Sequence, residues 1–560
     1  MIKIEKLRTV PVLVVGAGPV GLALAGDLGW RGIETLLVER GDGGVHQPKM
    51  DMVGIRTMEF CRRWGIIDWV HQAGYNRAYP QDCAWVSQLR GGWEFGREVF
   101  PSVQDEAKPP QSPEKRERCP QNFFDRVLTR FVQHSGKADL RYHTEYVSHE
   151  ESDDGVLVQL RNVQTGAQET VHCQYLIATD GGASTVRHAL DIPMAGIPAL
   201  TYTTNAIFEC AGLEQLHDKQ RAYRYIFIGP EGTWATLVAI NGRDQWRFSL
   251  VGDETMRAVS EQEVCDAFRR AVGRDDFSFK TLSVLPWVRR QLVADSYGTA
   301  RVKIAGDAAH LTSPTGGFGM NMGIQDSVDL AWKLEAVLAG WGGPELLQSY
   351  EVERRPVAIR NVNEATSNLK LMLEPRKTLS PAVFEQGPAG DQARQVFGDA
   401  YTAAMRREWY SIGIHLGFRY EGSPVVCPDG TAEPDDTVST YAQTSRPGHR
   451  APHVWLSQDV STLDSFGRGF VLVKTGAADP APLLKAAAAR GVPLTVVDWS
   501  GNEEARVAYE RALVLVRPDG HVGWRGDKAP DDADAVFAAV TGHAGAGQAA
   551  KPAKLAEEHA

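Results

Sequence analysis

Residues 12–40 read VLVVGAGPVGLALAGDLGWRGIETLLVER, a pattern typical of a β-strand, a glycine turn, a helix and a second strand. Gly16, Gly18 and Gly21 form G-x-G-x-x-G, which permits a tight turn, close approach of the backbone to a pyrophosphate and close packing of helix on strand. Glu39 ends the second strand, where an acid can hydrogen-bond a ribose hydroxyl. The stretch therefore predicts a dinucleotide-binding β-α-β unit; a glycine turn without a ligand is the alternative.

The composition restricts the classes of protein to consider. The chain of 560 residues is long enough for several domains, and its 43% hydrophobic and 23% charged residues are ordinary for a soluble protein. A formal net charge of −10 provides no basic surface for nucleic acid. The seven cysteines include no C-x-x-C pair, so neither a disulfide framework nor a metal site is expected. With no apolar leader and no run of about 18 apolar residues, we expect a cytoplasmic protein that does not enter a membrane.

The rest of the chain divides into segments by pattern. Strand, glycine-turn and helix patterns recur on both sides of a region of short aromatic and β-branched strands, which predicts an inserted antiparallel sheet. The predicted segments are a first domain (1–190 and 296–375), an inserted β domain (191–295), a helical connector (376–430), a smaller α/β domain (431–541) and a disordered tail (542–560). The Pro-rich, charged stretch 101–118 is predicted to be an exposed loop.

Three glycine-containing turns, each after a strand, carry a resemblance to a known family. They are GAGPVGL (16–22), DGGASTVR (180–187) and AGDAAHLTSPTGGFGMNMGIQDSVDLAWKL (305–334). In this order they resemble the FAD-dependent aromatic monooxygenases with the p-hydroxybenzoate hydroxylase fold. The resemblance implies an α/β protein whose Rossmann-like FAD-binding domain contains an inserted antiparallel β-sheet substrate domain.

The C-terminal segment extends the resemblance. RPGHRAPH (446–453) and VRPDGHVGWR (516–525) are similar to the thioredoxin-like α/β domain that some members carry. Because the segment has no C-x-x-C, it cannot exchange disulfides, and a structural or dimer-supporting role is expected.

The motifs and the resemblance together give a set of candidate FAD-binding residues. In the family the aspartate matching Asp307 binds the ribityl chain, and burial after a strand favours a bonded carboxylate at this position. Backbone N–H groups of residues 314–323, at the start of a helix, can stabilise negative charge on a reduced flavin. The candidates are Gly16, Gly18, Pro19, Gly21, Glu39, Arg40, Lys49, Gln121, Asp180, Gly181, Arg187, Gly306, Asp307, Pro314, Gly317, Gly319, Met320 and Asn321.

Several of these candidates have a plain structural alternative. Lys49 falls where the family usually has an arginine, and it keeps the charge but lacks the bidentate fork for phosphate. Arg187 and Asp180 together are also compatible with a local salt bridge. Gln121 is equally suited to opening a helix, and Asp307 to capping one.

Asp51 and Tyr225 are the candidate catalytic residues. By resemblance to the phenol hydroxylases, Asp51 matches an aspartate thought to take the phenol proton, and a pKa raised by burial would suit that role. Tyr225, or alternatively Tyr202, is a candidate hydrogen-bond partner for the phenol. The alternatives are that Asp51 is a surface loop residue and that the tyrosines belong to the core.

The expected function is that of an FAD-dependent monooxygenase. NADPH or NADH would reduce the FAD, O2 would form a flavin C4a-hydroperoxide, and a small phenolic aromatic substrate would be hydroxylated ortho or para to its hydroxyl. No nucleic acid, membrane or metal is expected, and a homodimer is possible.

Two other functions remain open from the sequence. One is Baeyer–Villiger oxidation or epoxidation of a polyketide-like substrate, which needs no phenol base. The other is a flavin-containing protein that sequesters a ligand without oxidising it. Ketone and phenol substrate panels, and the stoichiometry of NAD(P)H oxidation, separate these functions.

Overall fold

A computed structural model describes residues 7–45, 47–252 and 254–543 of the chain. The strands are β1 (Arg8–Val15), β2 (Thr35–Val38), β3 (Met52–Val53), β4 (Cys83–Val86), β5 (Glu94–Glu98), β6 (Glu117–Arg118), β7 (Ala138–Arg141), β8 (Thr144–Ser152), β9 (Gly155–Asn162), β10 (Gln168–Ala178), β11 (Met194–Glu209), β12 (Arg224–Gly229), β13 (Gly232–Ala239), β14 (Gln245–Val251), β15 (Lys280–Ala294), β16 (Val302–Ile304), β17 (His310–Leu311), β18 (Trp455–Ser457), β19 (Val460–Ser461), β20 (Phe470–Lys474), β21 (Leu494–Asp498), β22 (Leu513–Val516) and β23 (Val522–Gly526).

The helices complete the secondary structure. They are α1 (Pro19–Trp30), α2 (Ile55–Arg63), α3 (Ile67–His71), α4 (Gln121–Ser135), α5 (Thr185–Ala189), α6 (Glu261–Val272), α7 (Phe318–Leu338), α8 (Ser349–Leu373), α9 (Pro375–Thr378), α10 (Pro388–Trp409), α11 (Ile412–Leu416), α12 (Ala481–Ala489), α13 (Glu503–Tyr509) and α14 (Ala533–Val540). Short 3-10 turns occur at Leu213–Gln215, Gly306–Ala308, Pro381–Phe384 and Thr462–Ser465. Among the described residues, no helix combines the length and apolar character needed to cross a membrane.

The first sheet is the predicted dinucleotide-binding sheet. Its order is β7-β2-β1-β10-β9-β8, and β16 pairs with the end of β10. The central strands β2, β1, β10 and β16 are parallel, so their carboxyl ends lie at one edge. Helix α1 is buried along most of its length beneath this edge, because α4 and α7 both pack on it. The sheet and these helices form the largest apolar core.

The second sheet has eight strands in the order β17-β15-β11-β14-β13-β12-β4-β5. One face packs on α6 through aromatic rings such as Phe208 and Phe268, whose centroids are 4.6 Å apart. Part of the opposite face is polar and lines a cavity, whereas Trp85, Ile226 and Ile228 belong to an apolar cluster with residues of α8 and α10. The sheet is larger than the predicted insert 191–295, because β4 and β5 come from residues 83–98. β4 pairs with β12 in parallel, and such a long-range pairing leaves no local pattern in the sequence.

The C-terminal domain has a thioredoxin-like α/β arrangement. Its four-stranded sheet has the order β21-β20-β22-β23, with β20 and β21 parallel and the other pairs antiparallel. The domain packs on α7, where the ring of Phe470 meets Trp332 edge to face at 6.1 Å. The predicted disordered tail lies, from residue 544 onward, outside the described residues.

Buried ion pairs join the C-terminal domain to the first domain. Arg517, which follows β22, is bonded to Glu353 of α8, with Nη1 2.5 Å from Oε1. Lys333 of α7 also contacts Glu353, at 2.6 Å. Arg450 is paired with Glu59 of α2, and both side chains are buried. The C-terminal domain is therefore anchored through charges that have no access to water.

The stretch 101–118 is the exposed loop that its composition predicts only in its first part, where Gln104, Asp105, Ala107, Lys108 and Pro110 are exposed. Ser112, Glu114 and Glu117 are buried. Ser112 donates a hydrogen bond of 2.6 Å to Glu59, and Arg77 pairs with Glu117 at 2.8 Å. Charged residues in this stretch find partners on neighbouring elements, so the segment folds over the cavity.

Candidate functional site

The predicted cofactor residues meet at the carboxyl ends of four parallel strands. Gly16 follows β1, Glu39 follows β2, Asp180 lies just beyond β10, and Gly306 lies just beyond β16. Parallel pairing brings these four positions to one edge of the sheet. Ligands of open α/β sheets bind at such an edge. Motifs as far apart as residues 16 and 306 thus form a single site.

The first glycine turn has the geometry that a dinucleotide needs. Gly16 has φ +100°, and a Cβ on it would lie 2.6 Å from the carbonyl oxygen of Thr179. A Cβ on Gly21 would lie 1.9 Å from the carbonyl oxygen of Gly16, because α1 packs closely on the turn. A Cβ on Gly18, in contrast, would meet no atom of the described chain within 4 Å. Gly18 therefore faces open space at the start of α1, where a pyrophosphate fits.

The start of α1 has free donors. Its first helical residue is Pro19, and no side chain caps its N-terminus. The carboxylate of Glu39 accepts backbone N–H groups of Ala17 at 2.9 Å and of Gly41 at 2.7 Å, which fixes its position beside the glycine turn. Arg40 is exposed next to it. This arrangement fits the adenosine and pyrophosphate part of FAD.

The second motif is held by local hydrogen bonds. Asp180 Oδ2 accepts the backbone N–H of Thr185 at 2.8 Å, whereas Oδ1 is buried without a hydrogen-bond partner in the described chain. Arg187 donates to the carbonyl oxygens of Ala308 at 3.0 Å and of Gly182 at 3.1 Å. The arginine thus ties the second motif to the third, and its guanidinium is not hydrogen-bonded to Asp180. Gly181 has φ +82° in the turn between them.

The third motif contains a charged support that the sequence analysis missed. Asp326 of α7 accepts a hydrogen bond from the backbone N–H of Gly306 at 3.2 Å, contacts His310 Nε2 at 2.7 Å and pairs with Arg354 at 2.8 Å. Asp326, His310 and Arg354 are buried, and they hold the Gly306–Ala308 turn in place. Asp307 lies within this turn, half-exposed at the strand edge. The ribityl role of Asp307 stays a prediction.

The turn before α7 faces the cavity. Pro314 and Gly317 line it, and Gly316 and Gly317 have φ +90° and +69°. Helix α7 begins at Phe318 without a side-chain cap, so its first N–H groups are free of such a partner. These donors fit the anionic edge of a reduced flavin.

Asn321 differs from the other predicted cofactor residues. Its side-chain oxygen accepts from the backbone N–H of Gly54 and from Thr57 Oγ1, both at 2.7 Å. Its amide nitrogen donates to the carbonyl oxygens of Gly317 at 2.7 Å and of Met52 at 3.1 Å. These four bonds use the full capacity of an amide side chain. The Asn321 side chain therefore positions the turn, and only its backbone is left for a cofactor; Gly319 and Met320 belong to the same first turn of α7.

Lys49 and Gln121 form a hydrogen-bonded pair, of which Lys49 lines the cavity. Gln121 Oε1 accepts the backbone N–H of Lys49 at 3.0 Å, and its amide donates to Asp125 at 3.3 Å. The Lys49 ammonium lies 5.6 Å from the ring centroid of Trp287 and lines the cavity. Direct contact of either side chain with FAD stays a prediction.

A cavity of about 490 Å³ lies between the polar face of the second sheet and the turn before α7. Its floor consists of alternate residues of five adjacent strands. These are Trp287 and Arg289 (β15), Thr203 and Asn205 (β11), Arg247 and Ser249 (β14), Thr236 and Val238 (β13) and Arg224 (β12). Residues 47–52, the 99–118 segment and residues 408–412 supply the walls.

Asp51 lies in the cavity wall within a charged cluster. Arg118 contacts its carboxylate at 2.9 Å and Arg247 at 3.1 Å, and the Tyr223 hydroxyl donates to it at 2.5 Å. Burial alone would raise the pKa of Asp51, but the two arginines and the tyrosine outweigh burial and hold the pKa below its usual value. The expectation of a raised pKa is therefore wrong. Asp51 is an ionised anchor for this cluster.

Tyr225 is not part of this cavity. Its hydroxyl donates to the carbonyl oxygen of Gln220 at 2.8 Å, and its ring is buried in the aromatic core on the other face of the sheet. Side chains alternate along a strand, so Tyr225 points away from the face that carries Arg224. Tyr410 and Tyr223 are the tyrosines among the cavity-lining residues, and Tyr223 precedes the strand and so does not follow its alternation. Arg118 lies over its ring, 3.7 Å from the centroid.

The charge of the cavity lining was also missed from the sequence. Seven cationic side chains and three carboxylates line it: Lys49, Lys115, Arg116, Arg118, Arg224, Arg247 and Arg289, with Asp51, Glu106 and Glu408. These residues come from distant segments, so only tertiary structure reveals a basic cavity in an acidic chain.

Comparison with known protein families gives the class of this site. Residues 9–365 match the family described as FAD binding domain, and residues 444–546 match the family described as Aromatic-ring hydroxylase, C-terminal. The fold and the strand-end site are thus those of a flavoprotein monooxygenase. The chain belongs to the FAD-dependent aromatic-ring hydroxylases, with FAD as its cofactor.

Individual relatives agree with this assignment. Tetracenomycin B2 monooxygenase-dioxygenase of Streptomyces olivaceus is 32% identical, with 95% of this chain and 98% of the relative covered. The 2,4-dichlorophenol 6-monooxygenase of Cupriavidus pinatubonensis is 29% identical over 94% of each chain. Among solved structures, chromopyrrolic acid-soaked RebC with bound 7-carboxy-K252c is 38% identical, with a TM-score of 0.89 over 96% of this chain and 100% of RebC.

Proposed function

We propose that this protein hydroxylates a phenolic aromatic substrate, using NADPH or NADH and O2. The observation that carries the proposal is the Asp51–Tyr223–Arg118–Arg247 cluster in the wall of the cavity that the flavin-side turn also lines. A relative that acts on 2,4-dichlorophenol supports a phenol as substrate.

The cluster has the charges that a phenol needs for activation. Tyr223 donates its proton to Asp51, so its oxygen lone pairs are free to accept a hydrogen bond from a substrate hydroxyl. Arg118 and Arg247 place positive charge beside the same point and stabilise a phenolate. Because Asp51 is held ionised, it fixes the tyrosine and the arginines, and its lowered pKa makes it a weak base. The arginine charges therefore lower the pKa of the substrate hydroxyl, and its proton passes to solvent water while Asp51 stays ionised.

FAD, reduced by the nicotinamide nucleotide, supplies the activated oxygen when it is bound. The chain's part is to hold the cofactor at the strand edge and to direct the substrate ring. Gly18 and the start of α1 accept the pyrophosphate, and the uncapped first turn of α7 offers backbone N–H groups to the ring system. Loop 101–118 forms part of the cavity wall through residues such as Glu106, Lys115 and Arg118.

The test is NADPH and NADH oxidation by FAD-loaded protein with and without panels of phenols and ketones, together with product mass. Oxidation stimulated by a phenol, with a gain of one oxygen in the ring, is the expected result. Stimulation by ketones alone would replace the proposal with Baeyer–Villiger oxidation. Tight ligand binding with no oxidation in either panel would replace it with ligand sequestration.

A further inference from the structure

Four polar side chains on two paired strands have no hydrogen-bond partner among the described residues. They are Arg289 and Trp287 on β15 and Thr201 and Thr203 on β11, opposite each other as Thr201–Arg289 and Thr203–Trp287. Arg289, Trp287 and Thr203 line the cavity. Buried polar groups are nearly always bonded, so a cluster of unpaired donors facing a cavity points to a ligand.

Arg289 is the strongest of these signals. It is only 5% exposed, and neither Nε nor Nη1 has an acceptor within the described chain. Burial first, and then neighbouring arginines such as Arg224, lower its pKa to about 10, which leaves it charged at neutral pH. The charge of Glu408 acts on Arg289 from the same cavity, but a buried guanidinium that lacks a bonded acceptor is still costly.

The neighbouring arginines already have hydrogen-bond acceptors within the protein. Arg247 is bonded to Asp51, and Arg224 to Glu408 at 2.9 Å. Arg376 donates to three backbone carbonyls, among them that of Val251 at 2.7 Å. Arg289 alone of these four has no acceptor within the described chain, although it is as deeply buried.

We propose that Arg289, with Trp287 Nε1 and Thr203 Oγ1, binds a carboxylate of the aromatic substrate. The proposal rests on the function proposed above and narrows its substrate to a phenol that carries a carboxylic acid. A guanidinium fork matches the two oxygens of a carboxylate, and the indole N–H and the hydroxyl add neutral donors.

The unpaired groups around Arg289 suit a carboxylate. Glu408 lies in the same cavity, bonded to Arg224, and its Oε2 is also buried without a partner among the described residues. One guanidinium balances one carboxylate. The position of Arg289 on β15, and of Asp51 and Tyr223 at another wall, gives the substrate two separate polar anchors.

The binding test compares 1-hydroxy-2-naphthoic acid with 1-hydroxy-2-naphthamide, followed by changes in the absorbance of bound FAD. We expect wild-type protein to bind the acid about tenfold to a hundredfold more tightly, as a charged hydrogen-bonded pair provides. Arg289→Met should abolish this preference, and Arg289→Lys should keep part of it. Equal affinities in the wild type, no measurable binding of the acid, or an unchanged preference in Arg289→Met would overturn the assignment.

Thermal unfolding of the ligand-free holoenzyme gives a second readout. Because Arg289 is buried and unpaired, Arg289→Met should raise the melting temperature, as is common where a binding group is kept at a cost in stability. Arg376→Met is the matched control, and it should lower the melting temperature because three carbonyls lose their donor. A fall for both variants would assign Arg289 a structural role.

The two proposals fail in different ways. Oxygenation of neutral phenols with no preference for the acid would reject the carboxylate assignment and keep the hydroxylase. Preferential binding of the acid, lost in Arg289→Met, with no oxygenation of any phenol would reject the hydroxylase and keep the carboxylate site.

Discussion

Tyr223 and Tyr225 lie two positions apart and have opposite surroundings. The Tyr223 hydroxyl is bonded to Asp51 at the cavity, and the Tyr225 hydroxyl to a backbone carbonyl in the core. Each can be changed to phenylalanine with the loss of one oxygen atom. The pair therefore separates a chemical role from a structural one within a single stretch of chain.

We expect Tyr223→Phe to retain FAD and to form hydroxylated product roughly a hundredfold more slowly, because the substrate hydroxyl loses its acceptor. Tyr225→Phe should lose about 1 kcal/mol of stability and keep the wild-type rate. Product formation per NAD(P)H consumed, and the melting temperature, measure the two effects. Equal rates for the two variants would remove Tyr223 from the mechanism.

Among individual residues, the sequence identifies those whose role depends on neighbouring positions in the chain. Gly16, Gly18 and Glu39 follow from a contiguous pattern, and the structure places them together. Tyr223, Arg118 and Arg289 could not be identified, since their environments depend on how distant strands align. Strand β12 begins at Arg224, one residue after Tyr223, so Tyr225 follows the alternation of the strand and Tyr223 does not.

The junction of β1 and α1 shows how one element serves both packing and binding. Gly21 is in contact with the turn, so its lack of a side chain is needed for packing. Gly18 has φ −73° and faces open space, so an alanine there is free of backbone strain and of clashes within the described chain. Two glycines of one motif are thus needed for different reasons.

We expect Gly18→Ala to leave the melting temperature of FAD-free protein unchanged and to weaken FAD binding by tenfold or more, because the added methyl occupies the pyrophosphate approach. Gly21→Ala should destabilise the fold by about 1–3 kcal/mol through overpacking. Thermal unfolding and fluorescence titration with FAD measure both. Unchanged FAD affinity in Gly18→Ala would contradict the assignment of the turn.

The elements themselves were predicted best where the pattern was regular and local. The β-α-β unit, the long helix after the third motif and the C-terminal α/β unit follow from periodicity. β4 and β5 were missed because their partners lie far along the chain, and the second part of loop 101–118 was misjudged because Glu114 and Glu117 are paired in the interior.

Across the whole molecule, ion pairs buried between domains make its stability depend on pH. Burial alone would raise the pKa of Glu59, but Arg450 and Arg56 outweigh it and lower the pKa to about 2. A depressed carboxyl pKa contributes stability that is fully present above the unfolded value, near pH 4.5. This contribution is lost as the pH falls towards 2.

We expect Glu59→Gln to cost about 3 kcal/mol at pH 7, from the shift of the Glu59 pKa, and much less near pH 3. Glu145→Gln, which removes an ion pair with the exposed Arg161, should cost under about 1 kcal/mol at either pH. Thermal unfolding followed by tryptophan fluorescence compares the variants. An equal cost of Glu59→Gln at both pH values would show that its charge is not responsible.

The same contacts join segments of the chain that are synthesised at different times. Helix α2 leaves the ribosome early, yet Glu59 is paired with Arg450, and Arg56 donates to the carbonyl oxygen of Asp519 at 2.8 Å. Proteins are made from the N-terminus, so Arg450 and Asp519 become available to Glu59 and Arg56 only late in translation, and until then these two residues of α2 have each other as partners. The segment that carries Asp51 directly precedes α2. The cavity lining extends from Gln47 to Ser439, so the cavity is completed only after most of the chain has been translated, and chains truncated before residues 408–412 should lack part of its wall.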